Sequence, residues 1–70
     1  MFYPSYCITE IQKSVFEVLM DKSITSVHEL DYLGFPRKEI LETLKYFESK
    51  GLLKNVQHLG SDFPVIFTVK

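Results

Sequence analysis

The sequence predicts an α+β domain, three helices followed by a C-terminal β-hairpin, and three observations carry that expectation. Apolar residues recur at helical or near-helical spacing in three successive stretches, each behind a start signal. Gly51 closes the last of these stretches. Beyond it the period changes to an imperfect alternation, then a Gly-Ser-Asp turn, then the β-branched run VIFTV.

Met1 to Cys7 reads as a short arm, with Phe2, Tyr3 and Tyr6 crowded around Pro4. The first helix starts near Thr9, which with Gln12 has the spacing of a capping box. Its apolar stripe is Ile8, Ile11, Val15, Val18 and Leu19; Phe16 and Met20 extend it round the side. Asp21, Lys22 and Ser23 end the helix, and the β-branched Ile24 and Thr25 suit a stub of extended chain able to pair with a later strand. Ser26 and Glu29 form a second capping box ahead of a helix whose apolar residues, Val27, Leu30 and Leu33, repeat at three. Gly34 breaks it.

Phe35 and Pro36 open the third helix, proline suiting a first helical position because its φ is preset and its missing N–H would be orphaned anyway. Ile40, Leu44 and Phe47 form the inner stripe, with Leu41 beside them, and Gly51 is the expected left-handed stop. Leu52, Leu53, Val56 and Leu59 then alternate around polar residues, Gly60 to Asp62 is the turn, and Pro64 introduces the last strand.

Seventy residues make one domain, 1–70, near the lower size limit for folding without a staple. The lone Cys7 cannot form an internal disulfide and reads as a small apolar residue, with a bridge across a dimer as the minor alternative. No apolar run approaches the roughly 20 residues of a membrane span, and MFYPSYC lacks the basic and apolar regions of a secretory signal. An intracellular, cytoplasmic protein is expected. The net charge of −1 gives no global signature of a nucleic-acid binder. The charges are polarised, however. From Ile8 to Gly34, Glu10, Glu17, Asp21, Glu29 and Asp31 outnumber Lys13 and Lys22; from Phe35 to Lys54, Arg37, Lys38, Lys45, Lys50 and Lys54 outnumber Glu39, Glu42 and Glu48.

The stretch SVHELDYLGFPRKEILETLKYFESKGLLKNV resembles the helix-turn-helix segment of MarR-like, ArsR-like and other small winged-helix regulators. Ser26, Val27, Leu30, Leu33, Gly34, Arg37, Ile40, Leu44, Phe47, Gly51, Leu52 and Leu53 stand at the matching places. The pattern is specific for fold and weak for function, because it marks mainly core positions. It implies a winged helix-turn-helix in which the third helix is the recognition helix and the hairpin the wing. By that analogy, Arg37, Lys38 and Lys45 would reach guanine edges or phosphates, with Leu41 and Glu42 on the same edge. Thr43 would bond base or backbone, and Lys54 would touch phosphate from the base of the wing. Glu39, Glu42 and a base-free tip, HLGSDF with Asp62, oppose such contacts.

So few bases make a monomer a weak binder, so DNA binding nearly requires a dimer. Phe2, Tyr3, Tyr6, Phe16 and Met20 exceed what one small core needs and would build that interface; the arm covering its own subunit is the alternative. The expected function is that of a small dimeric transcriptional regulator binding double-stranded DNA. The rival is a protein-docking module using Leu41, Tyr46 and the arm. His28 and His58 sit in no metal-ligand spacing, and there is neither a phosphate loop nor a nucleophile motif, so no cofactor and no enzyme activity is expected. The small size suggests a compact genome such as that of a virus, phage or plasmid.

Overall fold

The structure, a computed structural model, describes residues 2–22 and 24–69. Met1 of the arm, Ser23 at the end of the first helix and Lys70 lie outside the described residues. Two α-helices, a 3-10 helix between them and a two-stranded antiparallel hairpin after them make a small α+β fold. No described helix is long and apolar enough to cross a membrane.

Helix α1 runs Glu10–Asp21. Its capping box is made: the Gln12 amide donates to Thr9 Oγ1 (3.3 Å), and Gln12 Oε1 accepts from the Thr9 and Ile8 amides (3.1 and 2.8 Å). Val15, Phe16 and Leu19 are buried. Ile8 departs from the expected stripe and is exposed, because it precedes the cap and does not share the helix's phase.

The stub after α1 pairs as its β-branched residues suggest. The Thr25 carbonyl accepts from the Phe67 amide (2.9 Å), the Val65 carbonyl accepts from Val27 (3.1 Å), and Ser26 bridges Ile66. The second helix is not α but 3-10, over Val27–Leu33. Its apolar spacing of three was the mark of that geometry, since residues i and i+3 eclipse at three residues per turn. Val27 and Leu30 are buried and Leu33 packs beside them. Gly34, at φ 84°, ends it in the left-handed region, and no atom lies within 4 Å of where a Cβ would sit, so the demand for glycine is conformational rather than steric.

The Glu29 carboxylate ties this start together, accepting from the Thr25 amide (2.8 Å) and the Ser26 amide (3.0 Å). Those backbone donors, Thr25 first, hold its pKa below the ordinary glutamate value, against a smaller opposing effect of burial. A depressed folded-state pKa means that the ionised form is bonded and favoured on folding. The stabilisation is therefore complete above the unfolded value and is lost as pH falls through the lower folded one. The stability difference between the wild type and Glu29→Gln should accordingly be constant near neutrality and shrink below about pH 4.5, as urea melts at stepped pH would show.

Helix α2 runs Arg37–Ser49, with Pro36 just ahead of it and not inside it; the Pro36 carbonyl accepts from Glu39 and Ile40 (3.0 and 3.1 Å). At the far end Gly51, at φ 79°, completes a Schellman motif: its amide donates to the Glu48 carbonyl (3.0 Å) and that of Leu52 to Phe47 (3.1 Å). The chain then reverses into strand β1, Leu53–Gln57, paired with β2, Ile66–Val69. The register runs Leu53 to Val69, Lys54 to Thr68, then Gln57 to Ile66, so β1 carries a bulge, with Asn55 at φ 52°. Strand β1 is an edge, and this bulge together with the exposed Lys54 blunts it against pairing with other chains.

Leu59, expected in the alternating strand, lies instead in the turn, at φ 50° and followed by Gly60 at φ 83°; the His58 carbonyl accepts from the Ser61 amide (2.9 Å). Asparagine tolerates that region at Asn55, whereas a leucine there costs about 1–2 kcal/mol.

One core serves every element. Phe47, Phe67, Leu30, Ile40, Leu44, Val15 and Val27 are sealed in it. The arm folds over this core. Tyr6 meets Phe47 edge-on (ring centroids 6.1 Å apart), Tyr3 meets Phe16 likewise (6.1 Å), and Tyr46 Oη donates to the Tyr6 carbonyl (2.8 Å). The radius of gyration is 10.9 Å, against about 11 Å for a compact chain of this length, so the arm adds no extension. Cys7, the last residue of the arm, is buried in the core, and burial pushes its thiol pKa up, away from the reactive thiolate.

Candidate nucleic-acid interface

The candidate surface is the side of α2 turned away from the core. Ile40, Thr43, Leu44 and Phe47 are buried and define the inner face. At 100° per residue the opposite face holds Lys38, Glu42, Lys45 and Ser49, all exposed. The helix thus presents two lysines with one glutamate between them, and Lys54 stands exposed on the neighbouring hairpin.

Lys38 makes no ion pair or hydrogen bond among the described residues. The ammonium of Lys45 lies 5.5 Å from the Phe63 ring centroid in a cation–π contact, and His58 Nε2 lies 3.1 Å from a Glu48 carboxylate oxygen. These two contacts hold the turn of the hairpin against α2. The hairpin and the outer helix face therefore form one continuous surface.

Arg37 does not stand open at the front of the helix as expected. Its guanidinium lies 2.5 Å from Asp31 Oδ2 and donates to His28 Nδ1 (3.1 Å). The tight Gly34 turn folds the 3-10 helix back onto the start of α2 and brings these groups together. Both partners of the ion pair remain nearly half exposed. Such a surface pair contributes only about 0–1 kcal/mol.

Thr43 is corrected outright. It is buried, and its hydroxyl donates to the Glu39 carbonyl one turn back (2.8 Å). A hydroxyl satisfied by its own helix points no donor outward. Thr43→Val should leave any DNA affinity unchanged within twofold, which anisotropy titrations of both proteins would check.

The expected dimer residues divide in two. Tyr3, Tyr6 and Phe16 are turned inward on the chain itself, where Tyr3 packs on Phe16 and Tyr6 on Phe47. Phe2 and Met20 remain exposed, as does Ile8, which was not among those expected. The rival set divides as well: Tyr46 is held by Tyr6, and Leu41 is half-buried. Missed by sequence reasoning were the Asp31 and His28 contacts to Arg37 and the left-handed Leu59; spacing alone shows neither, since both depend on how turns close.

Comparison with protein-family models, with curated proteins and with solved structures finds no match to this chain.

Proposed function

We propose that this chain is a small winged helix-turn-helix domain that binds double-stranded DNA as a homodimer and regulates transcription, with α2 as recognition helix and the β1–β2 hairpin as wing. One observation carries the reading: α2 commits one face wholly to the core and leaves Lys38 and Lys45 on the other, beside a hairpin bearing Lys54. A helix of this diameter fits the major groove, and lysines along its edge reach the phosphates that flank it. Arg37 joins them when phosphate replaces Asp31.

A single subunit offers few cations, so measurable affinity needs two copies, spaced about one turn of the duplex apart. The exposed Phe2, Ile8 and Met20 support such pairing. Anisotropy of a labelled random duplex, titrated from low to near-physiological salt, tests the reading. Binding that weakens steeply with salt is expected; no binding at low salt, or binding indifferent to salt, contradicts it.

A second reading, a winged-helix module that docks a protein, is favoured by the engagement of Arg37 with Asp31 and by a hairpin tip that carries Asp62 and no base. Under it, Arg37→Ala with Lys38→Ala would leave partner binding nearly unchanged.

A further inference from the structure

Phe2 is 99% exposed, the most open large apolar side chain among the described residues. It does not hang on a loose end. Tyr3, next to it, packs edge-on against Phe16, donates its hydroxyl to Glu17 and holds the Lys13 ammonium over its ring (5.8 Å to the centroid). At 100° per residue, Lys13, Phe16, Glu17 and Met20 share one side of α1, with Met20 one turn, about 6 Å, beyond Phe16. Around Met20 a groove of about 400 Å³ opens between the end of α1, the stub and β2. The buried Leu19 and Ile24, the exposed Met20 and the half-buried Val69 give it apolar surface, with Thr25 and Thr68 exposed beside them. Of the two charged residues that line it, Asp21 and Lys22, the lysine has its ammonium over the Tyr32 ring (4.8 Å). An anchored arm thus presents a bare ring, and an open apolar groove lies further along the same side of the helix.

We propose that the Phe2 ring of one copy seats in this groove on a second copy, whose own Phe2 seats in the first; the inference rests on the homodimer reading above and names the surface that closes it. The sizes agree. An apolar cavity of about 150 Å³ already holds a benzene ring, so a groove of 400 Å³ takes a phenylalanine with its backbone. The placement agrees as well. Because ring and groove lie on one side of the molecule, a single two-fold axis satisfies both contacts at once and the pair closes; on opposite sides they would build open chains. An aromatic side chain buries about 150–250 Å², so two rings and the groove walls they cover remove roughly 600–1,000 Å². That is under the roughly 1,200 Å² of a stable interface, so the free dimer is weak, with a dissociation constant on the order of micromolar or higher. A foreign protein supplying one ring would bury only about half as much, which makes a second copy the better occupant.

Sedimentation equilibrium of the full chain without DNA, from micromolar to millimolar, tests the proposal beside Phe2→Ser, Met20→Glu and the double variant. Dimerisation should weaken about tenfold or more in either single variant, while the melting temperature of the dilute protein stays within a few degrees, since both side chains are exposed. The double variant should be little weaker than either single one, because ring and groove make one contact. In a mixture of isotope-labelled and unlabelled protein, nuclear Overhauser effects between copies should join the Phe2 ring to the Met20 and Ile24 methyl groups. A monomer at every concentration would leave the groove to another occupant and overturn the proposal. So would a dimer that Phe2→Ser does not weaken, additive losses in the double variant, or Phe2 contacts to the groove that persist in the dilute monomer, which would seat the ring in its own chain. Each of these leaves duplex binding by α2 to its own titration. A Phe2-dependent dimer that binds no duplex would support the proposal and overturn the DNA-binding reading alone.

Discussion

Phe47→Ala is expected to remove about half of the domain's stability. Phe47 is sealed in the core on the inner face of α2, and its ring meets those of Phe16, Tyr6 and Tyr46 at centroid distances of 6.3, 6.1 and 6.0 Å. It is thus the contact through which α2, α1 and the arm are joined. Truncating a buried phenylalanine costs about 3–5 kcal/mol. At 0.05–0.15 kcal/mol per residue, a chain of 70 residues has roughly 4–10 kcal/mol in total. The melting temperature should fall by roughly 12–40 °C in calorimetry or circular dichroism. A fall of only a few degrees would mean that the arm does not pack as described.

The second large effect concerns binding and should spare the fold. Lys38, Lys45 and Lys54 are exposed, and their replacement by Ala together should move the melting temperature little. Duplex affinity at low salt should nonetheless drop roughly a hundredfold. The slope of log K against log salt should also shallow, by about 0.9 for each lysine that neutralised a phosphate. Parallel anisotropy titrations of the two proteins give both quantities. An unchanged slope would mean that these lysines do not touch the backbone, whatever happens to the affinity.

Much of the fold was legible because its signals are local. Thr9 with Gln12, the glycines at 34 and 51, and the β-branched Ile24 and Thr25 each state a backbone preference that the neighbours do not oppose. The 3-10 helix was half legible: its period of three stood in the sequence, but a capping box and a glycine stop serve an α-helix equally well. The candidate site was less legible, because polarity is not position. Thr43 is polar yet buried, since its hydroxyl bonds back to its own helix. Arg37 is cationic yet engaged, since a tight turn carries Asp31 to it from six residues away. Tyr3 and Tyr6 seemed spare until the arm folded over Phe16 and Phe47. The conformation of Leu59 was hidden for a different reason: leucine disfavours it, so no local preference announces it.

The central claim is that the outward side of α2 meets the duplex. Amide chemical-shift mapping of the labelled protein, with an unlabelled duplex added at low salt, tests it most directly. Shifts are expected at Lys38, Glu42, Lys45 and Ser49, continuing to Lys54 and the Leu59 turn, with the acidic side of α1 around Glu10 and Glu17 unmoved. Shifts confined to α1 and Tyr32, or none at all, would contradict it.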